Sequence, residues 1–382
     1  MAFYKTLGEI PNKRHTQFRD GQKNLYWEEL VSRNGFSGIY SNLYHLNPPM
    51  NIIKIGSFKK IELSTANVSY RHHHMKTSKL KKNGTFISSR VPLFFNSELV
   101  IYKAHVDKSM SELYKNGHSD EILFIHSGRG MLKTNFGNMD LVPGDYVIIP
   151  RGVIWQAAIL EKIQALIIES KQQIETPQKY RNKFGQLMEH APFCERDIRT
   201  PEFIEPLNEK NVSINVKLEF GIQEYIYKNH PFDLVGWDGY YFPWILNIND
   251  FMPITGKIHQ PPPVHQTFQS SSFVVCSFVP RLFDYHELAI PAPYAHSNLD
   301  SDEIIFYCEG EFMSRKNIQK GSITYHPSGL THGPQPGKIE SSIGINETNE
   351  LAVMIDTFKP MEITKEALLI DDVDYLKSWL KE

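Results

Sequence analysis

The sequence is poor in cysteine and in long apolar runs, and each shortage excludes a class of protein. The three cysteines, Cys194, Cys276 and Cys308, are scattered without a CxxC pair, which argues against a disulfide framework. The longest apolar runs fall far short of the roughly 20 residues that span a bilayer, and residues 1–18 lack the apolar centre of a signal peptide. We therefore expect a cytoplasmic protein that crosses no membrane.

An excess of charge of either sign is also absent. The 41 lysines and arginines are balanced by 43 aspartates and glutamates, which gives a formal net charge of −2. Such a chain has no broad basic field for nucleic acid or for an anionic membrane surface. Its 382 residues, 41% hydrophobic and 22% charged, are ordinary for a globular protein and allow two or three domains.

The helical period is rare in this sequence. Short runs rich in Val, Ile, Phe and Tyr, broken by Gly, Pro, Asn and Asp, dominate from about residue 86 to 360, which predicts a mainly β protein with antiparallel strands. We expect helices only at residues 25–31 and in the C-terminal tail, residues 364–382, whose apolar residues follow roughly helical spacing. Residues 171–212 are polar and predict a linker or an extended arm.

An internal repeat is the most informative feature of the chain. "SDEILFIHSGRG" begins at Ser119 and "SDEIIFYCEGEF" begins at Ser301, and matching blocks follow each of them. Three separations agree between the two halves. Glu121–Gly128 and Glu303–Gly310 both span seven positions, and Gly144–Pro150 and Gly321–Pro327 both span six. Pro150–Trp155 and Pro327–His332 both span five. Repeats of this kind indicate two similar structural units in tandem.

An acidic residue, a strand, a glycine turn, two further strands and then a "P-x-G" segment before a histidine are typical of the cupin barrel. We therefore predict a bicupin, with two jelly-roll β-barrels in tandem, few helices and a C-terminal helix. The predicted domains are residues 1–170, a structural cupin-like unit without metal, residues 171–212, the linker, and residues 213–382, the cupin that carries an iron site.

The two halves differ at the position that would complete a metal site. The second half has His332 where the first half has Trp155, and only the second half has a histidine, His296, seven positions before its glutamate, Glu303. Two histidines and one carboxylate form the facial triad of non-haem Fe(II) oxygenases, which leaves coordination positions open. We predict that His296, Glu303 and His332 bind Fe²⁺, although they could also be polar residues of a loop and a strand end.

The carboxylate ligand is open to two rivals. Asp300 and Asp302 lie beside Glu303, and a spacing of six residues from His296 would select Asp302. We favour Glu303 because it opens the predicted strand.

Further histidines surround the predicted site. His326 lies six positions before His332 and could face the same cavity, hold a ligand in place or be structural. His259 and His265 belong to "KIHQPPPVHQTF", a segment stiffened by proline that could present one imidazole over the metal. The run at residues 72–74 cannot place three consecutive histidines on one strand face, so we interpret it as a solvated strand or lid, with lining the cavity as the alternative.

Eight segments together resemble the homogentisate 1,2-dioxygenase family, in its shorter bacterial branch. They are "IPNKRHTQFR", "LYWEEL", "GFSGIYSNLYHLNPP", "VGWDGYYFPW", "HQPPPVHQTF", "FVPRLFDYHELAIPAPYAHSN", "DSDEIIFYCEGEF" and "HPSGLTHGPQPG". The resemblance covers nearly the whole chain. It implies an Fe²⁺-dependent bicupin that opens the ring of homogentisate with O₂ to give maleylacetoacetate, in tyrosine and phenylalanine breakdown.

The resemblance also implies roles for individual residues. It makes His296, Glu303 and His332 the metal ligands, His259 the acid/base residue and His326 a residue that supports the ligands. Tyr294, Phe312 and His265 would contact the substrate or stand behind the ligands. We expect the partners to be a small aromatic substrate and O₂, with no nucleic acid and no membrane, in a homo-oligomer.

Departures from the better-known branch leave the substrate open. Phe312 stands where that branch has a tyrosine that contacts substrate, and Ala295 replaces another tyrosine. The substrate could therefore be gentisate or a hydroquinone. A different class, a metal-binding bicupin without oxygenase turnover such as a pirin-like regulator or a sugar isomerase, shares the fold and is not excluded by it.

Overall fold

A computed structural model describes residues 3–312, 314–316 and 318–380. Its strands are short, and glycine, proline or polar turns separate them. In chain order, the strands up to residue 159 are β1 (Lys5–Gly8), β2 (Trp27–Ser32), β3 (Tyr40–His45), β4 (Ile52–Lys60), β5 (His73–Lys76), β6 (Asn83–Gly84), β7 (Val91–Phe95), β8 (Leu99–Val106), β9 (Leu113–Asn116), β10 (Asp120–Ser127), β11 (Gly130–Thr134), β12 (Gly137–Leu141), β13 (Asp145–Ile149) and β14 (Ile154–Ile159).

The remaining strands are β15 (Ile163–Ser170), β16 (Ile198–Arg199), β17 (Lys210–Leu218), β18 (Gly221–Asn229), β19 (Leu234–Gly239), β20 (Trp244–Asn247), β21 (Gln266–Gln269), β22 (Phe273–Phe278), β23 (Arg281–Leu282), β24 (Asp302–Glu309), β25 (Ser322–His326), β26 (Glu347–Thr348), β27 (Leu351–Thr357) and β28 (Glu362–Ile363). The described α-helices are α1 (Lys338–Ser342) and α2 (Lys365–Leu368). Short 3₁₀ turns cover Thr77–Lys79, Gln178–Tyr180, Glu195–Asp197, Ile248–Asp250, Pro262–His265 and Tyr375–Trp379. None of the described helices is both long and apolar enough to cross a membrane.

Two large sheets repeat one strand order. The first runs β16-β20-β13-β10-β15-β8-β7-β28, and the second runs β21-β22-β27-β24-β25-β5. The stretch β7-β8-β15-β10-β13 of the first sheet has the same connections as β21-β22-β27-β24-β25 of the second, all of them antiparallel. The mainly β fold is confirmed, and the sequence repeat corresponds to a repeat of topology.

Each of these sheets is completed by a strand from a distant part of the chain. β5 pairs with β25 in the second sheet, and β20 pairs with β13 in the first. The strands β17, β18 and β19 also pair with first-half strands, in the seven-stranded sheet β12-β11-β14-β9-β17-β18-β4 and the four-stranded sheet β1-β19-β3-β2. The predicted domain boundaries stay a prediction, and strand pairing crosses them in both directions, since β5 joins the second large sheet and β28 pairs with β7 in the first.

Aromatic side chains join the two large sheets face to face. The ring centroids of Phe124 and Phe306 lie 6.2 Å apart, and those of Tyr146 and Phe268 lie 5.1 Å apart. The Tyr146 hydroxyl and Ser277 Oγ are hydrogen-bonded at 2.9 Å. These residues are largely buried and belong to one core that extends through both halves, so the second half is held against a rigid neighbour.

The helix predicted at residues 25–31 was wrong, and the helix predicted in the tail was wrong in extent. Residues 27–32 form the strand β2, which pairs with β3 along its full length. The tail forms only the one-turn α2 and a 3₁₀ turn at Tyr375–Trp379. Asp371 and Asp372 interrupt it because they bind the histidine run: Asp371 accepts a hydrogen bond from His73 Nδ1 at 2.8 Å, and the Asp372 amide donates to the His74 carbonyl at 2.8 Å.

Candidate metal centre

Strand register decides which side chains surround Glu303. This residue is the second of β24, and it lies directly opposite His326 on β25 and Asp356 on β27. Directly opposed residues on neighbouring strands project from the same face of a sheet. One face therefore carries a row of three functional side chains, with Glu303 at its centre.

The two predicted histidine ligands meet across a single antiparallel bridge. The His296 amide donates to the His332 carbonyl at 2.8 Å, and the His332 amide donates to the His296 carbonyl at 2.9 Å. Both imidazoles reach the Glu303 carboxylate, with His296 Nε2 at 3.7 Å from Oε2 and His332 Nε2 at 3.5 Å from Oε1. Residues 36 positions apart in sequence thus converge on one carboxylate.

The donor atoms of this group fit a metal ion. One nitrogen from each histidine and one Glu303 oxygen lie within 4.8 Å of one another, and in the described parts of the chain no other set of three His, Cys, Asp or Glu residues is so arranged. His296 Nδ1 faces the Tyr294 carbonyl at 3.3 Å, and His332 Nδ1 faces the Leu330 carbonyl at 3.1 Å. When Nδ1 carries the proton for such a bond, Nε2 keeps its lone pair for a metal.

A buried atom without a partner supports the same conclusion. His332 Nε2 is shielded from solvent and has no hydrogen-bond partner among the described residues. A buried polar atom left in this state costs free energy unless something binds it. A cation among two imidazoles and a carboxylate would satisfy it, so the residues present fit the group.

The electrostatics favour a charged carboxylate at this position. Burial raises the pKa of Glu303, but the nearby imidazoles of His296, His326 and His332 outweigh burial and hold the pKa well below its ordinary value. The Glu303 carboxylate in turn raises the pKa of His296. Burial lowers the pKa of His326 to about 3 despite its bond to Glu303, so His326 is neutral and its Nδ1 donates to Glu303 Oε1 at 2.7 Å.

The two rival carboxylates lie elsewhere. The Asp302 side chain is fully buried and accepts hydrogen bonds from the Tyr325 hydroxyl at 2.8 Å and from the amides of Ser328 and Met361 at 2.8 and 2.7 Å. Its position next to Glu303 on β24 points it to the opposite face of the sheet. Asp300 is exposed. The geometry therefore favours Glu303.

The histidine run is buried, so its interpretation as a solvated strand or lid was wrong. His73 and His74 belong to β5 and pair with β25, and His74 Nε2 is hydrogen-bonded to Ser322 Oγ at 2.9 Å. His72 packs edge-on against His326 and His332, with ring centroids 5.2 and 5.9 Å apart. Only the first histidine of the run thus lies beside the site, because its two successors are engaged by strand pairing and by Asp371 and Asp372.

The proline-rich segment separates its two histidines. His259 is half-exposed, its Nδ1 is hydrogen-bonded to Asp284 Oδ2 at 2.8 Å, and its ring lies 5.5 Å from the Tyr294 ring. His265 is buried against Phe278, with ring centroids 4.9 Å apart, and burial lowers its pKa to about 3. His259 therefore stands next to the residue whose carbonyl holds His296, whereas His265 belongs to the packed interior.

The remaining predicted residues, Tyr294 and Phe312, pack against different neighbours. The Tyr294 ring is 54% exposed and its centroid lies 6.3 Å from that of His296. Phe312 is half-buried and packs edge-on against Tyr307, with centroids 4.6 Å apart. Tyr294 is thus at the accessible side of the triad, whereas the Phe312 ring packs against Tyr307, four positions after Glu303.

Sequence reasoning missed Asp356 as part of the site. It lies opposite Glu303, its Oδ1 is buried without a partner in the described chain, and burial together with the Glu303 charge raises its pKa to about 7. A signal was available in the repeat: "IES" at residues 168–170 corresponds to "IDT" at residues 355–357. Glu169 lies opposite Glu121 just as Asp356 lies opposite Glu303.

In the first half, the carboxylates that correspond to Glu303 and Asp356 lie against an arginine side chain. The Arg90 guanidinium contacts Glu121 Oε1 at 2.7 Å and Glu169 Oε1 at 2.5 Å, and all three side chains are buried. Trp155 is fully buried on β14, at the repeat position of His332. In the first half Arg90 and Lys217 therefore balance the charges of Glu121 and Glu169, whereas in the second half the imidazoles of His296, His326 and His332 surround Glu303.

Comparisons with known proteins agree with this arrangement. The chain is 44% identical, over 99% of both lengths, to a protein of Saccharolobus solfataricus described as a candidate dioxygenase. A profile of the homogentisate 1,2-dioxygenase N-terminal region matches residues 78–248. The chain belongs to the homogentisate 1,2-dioxygenase family. Within it, the homogentisate 1,2-dioxygenase of Nitrobacter hamburgensis is 26% identical over 72% of this chain and 64% of its own length, and that of Legionella pneumophila strain Lens is 25% identical over 73% and 70%.

Solved structures are more distant. A structure of protein Ylba from E. coli aligns with 77% of this chain and 93% of its own, with 9% identity and a TM-score of 0.36.

Proposed function

We propose that this member of the family is an Fe²⁺-dependent dioxygenase that opens the aromatic ring of homogentisate with O₂ to give maleylacetoacetate, in tyrosine and phenylalanine breakdown in the cytoplasm. The observation that carries the proposal is the convergence of His296, Glu303 and His332, with His332 Nε2 buried and unpartnered. Two imidazoles and one carboxylate are the donor set of non-haem Fe(II) oxygenases. The metal-free first half and assembly into a homo-oligomer are parts of the same proposal.

His296, Glu303 and His332 would hold the ion. Bound there, the ion would supply the chemistry that activates O₂ toward a phenolate substrate. His326 serves the site differently, because it donates to Glu303 while its Nε2 lies 3.3 Å from the Tyr375 hydroxyl. His326 thereby fixes the orientation of the Glu303 carboxylate, which would also bind the ion.

His259 is the candidate for moving a proton. The Asp284 carboxylate accepts from its Nδ1 at 2.8 Å, which fixes the tautomer and leaves Nε2 able to take a proton from a substrate hydroxyl. The ring stands beside Tyr294 on the accessible side of the triad. His259 lies far from the ligands in sequence and has its own carboxylate partner, Asp284. We therefore assign proton transfer and metal binding to different residues.

The opposite side of the triad is closed to water. His72, His326 and His332 pack edge-to-face or stacked, and Trp379 covers His72 and His326 with ring centroids at 5.4 and 6.3 Å. Tyr375 lies behind His326. Substrate would therefore enter from the side of His296 and Tyr294, where the His296 side chain is 36% exposed.

A second candidate substrate, gentisate or a hydroquinone, is favoured by one observation. Phe312 packs against Tyr307 and offers no hydroxyl, whereas by the resemblance the better-known branch of the family has a tyrosine at this position. A site that lacks one hydrogen bond to the side chain of homogentisate would discriminate less between dihydroxylated aromatics.

The test is anaerobic reconstitution of the metal-free protein with Fe²⁺, followed by O₂ uptake with homogentisate, gentisate and hydroquinone in parallel. We expect one Fe²⁺ per chain and the fastest uptake with homogentisate. Faster uptake with gentisate or hydroquinone would support the second candidate. Retention of iron without uptake on any of the three would contradict the oxygenase and favour a metal-binding bicupin such as a pirin-like regulator or a sugar isomerase.

A further inference from the structure

A carboxylate beside the candidate metal centre has no partner. Asp356 lies on β27 directly opposite Glu303, and its half-buried side chain makes no hydrogen bond or ion pair with any residue that the structure describes. Its Oδ1 is shielded from solvent. A shielded carboxylate oxygen without a donor costs free energy unless a ligand supplies the donor.

The first half of the chain shows what this position accepts. Glu169 is the counterpart of Asp356 on β15, and three side chains donate to it. They are the Arg90 guanidinium at 2.5 Å, the Lys217 ammonium, and the Tyr102 hydroxyl at 3.1 Å. The position therefore carries a hydrogen-bond acceptor in both halves, and in the first half the chain itself fills it.

The register of the two large sheets shows which donor the second half lacks. Tyr102 on β8 pairs with the residue two positions before Glu169, and Cys276 on β22 pairs with the residue two positions before Asp356. A short thiol thus stands where the first half has a phenol, and it makes no hydrogen bond with Asp356. The second half keeps the acceptor without the donors.

Asp356 also lies on the side of Glu303 from which substrate would enter. In the row of side chains on the sheet, His326 lies on one side of Glu303 and Asp356 on the other. Tyr375 and Trp379 close the His326 side. Asp356 does not belong to the set of donor atoms that fits the ion, so its carboxylate remains available to a molecule bound beside that ion.

We propose that Asp356 accepts a hydrogen bond from the ring hydroxyl that the ion does not bind, so that the site selects aromatic rings with two hydroxyl groups over monophenols. The inference rests on the function proposed above, in which His259 acts at the other hydroxyl. The charges of Glu303 and Asp356 would balance a divalent cation, so the position calls for a hydrogen-bond donor and not for another cation. A monophenol would leave the carboxylate unpaired, which costs more than a neutral hydrogen bond contributes.

The test is anaerobic titration calorimetry of the iron-loaded, full-length protein, since without O₂ the substrate is not consumed. Homogentisate is compared with 2-hydroxyphenylacetate and 3-hydroxyphenylacetate, each of which lacks one of its two hydroxyls. The tighter-binding monophenol, which keeps the ion-bound hydroxyl, is the reference ligand. We expect it to bind about tenfold or more weakly than homogentisate.

Two failures of this test are distinguishable. Equal affinities of homogentisate and the reference ligand, while homogentisate still supports O₂ uptake, would overturn this inference alone. Binding of none of the three ligands, without O₂ uptake, would overturn the proposed function together with it.

Variants assign the difference to Asp356. In Asp356→Leu the ratio of the two affinities should fall to about one, whereas Glu309→Gln, which removes an exposed carboxylate of β24 in the same sheet, should leave it unchanged. A merely structural role would weaken both ligands equally and would not move the ratio. Both variants should retain iron in metal analysis, because Asp356 is not a ligand.

Asp356→Asn keeps a hydrogen-bonding group without the charge and should lower the ratio several-fold, which preserves the test if Asp356→Leu does not fold. The proposal would be overturned by an unchanged ratio in the variants of Asp356, by an equal change in Glu309→Gln, or by loss of iron from Asp356→Asn.

Discussion

Replacing Arg90 by methionine should destabilise the first half more than any substitution at the metal centre destabilises the metal-free second half. The Arg90 guanidinium contacts Glu121 and Glu169 at 2.7 and 2.5 Å, and Lys217 is paired with Glu169 only. Methionine would fill much of the volume but leave Glu121 buried beside a second carboxylate with no direct cation.

The magnitude follows from the cost of breaking a buried pair. At an effective dielectric constant near 20, two opposite charges 4 Å apart attract by about 4 kcal/mol, and desolvation of the arginine offsets part of that gain. Removal of one partner from buried ion pairs typically costs about 3–5 kcal/mol because it leaves an uncompensated charge. We expect a loss in this range for Arg90→Met.

Urea unfolding of the metal-free protein, followed by circular dichroism, measures the loss. Burial raises the pKa of Glu121 even in the presence of Arg90, so without the arginine a proton should bind the folded state more tightly, and Arg90→Met should regain stability as the pH falls. Arg90→Met with Glu121→Gln should recover much of the loss, since no unpaired charge remains. A loss below about 1 kcal/mol, or a double variant no more stable than Arg90→Met alone, would refute the reasoning.

Three further predictions concern the second half and His45. Alanine at His296, Glu303 or His332 should abolish iron retention measured by metal analysis, whereas Asp302→Asn should retain iron and lower the melting temperature, because Asp302 binds structural donors. His259→Gln should retain iron and lower O₂ uptake by roughly 10²- to 10⁴-fold, and His265→Gln should leave uptake nearly unchanged; the reverse pattern would contradict the assignment. Burial opposes charge on His45, but Asp233 and Glu29 raise its pKa to about 9. The protonated imidazole should therefore stabilise the folded state by on the order of 3 kcal/mol below about pH 6.5, and this contribution should be lost as the pH rises through about 9. Thermal melts of His45→Gln should not show this loss of stability between about pH 6.5 and 9.

Some of the site was predictable because it depends on short separations. The equal spacing of Glu121–Gly128 and Glu303–Gly310 indicated the same strand and turn in both halves, and both segments form the central strands β10 and β24 of their sheets. The absence of a histidine at Trp155 predicted the asymmetry between halves. Helices at residues 25–31 and in the tail were mispredicted because apolar spacing over a few residues fits more than one structure. Residues 27–32 instead pair with β3, and the tail contacts β5 through Met75 and Asp371, and neither partner is visible in the local spacing.

The sequence by itself determined the mainly β fold, the tandem repeat, the family and the kinds of donor atom at the candidate centre, since these follow from residue types and from spacing within a strand or turn. Only the tertiary structure decided that Glu303 and not Asp302 faces the histidines, that His72 packs beside them, that Asp356 completes the row on the sheet and that Arg90 lies against the first-half carboxylates. The reason is physical: the face on which a side chain lies is settled by pairing with strands far away in sequence, and a shift of one residue in that pairing exchanges the two faces.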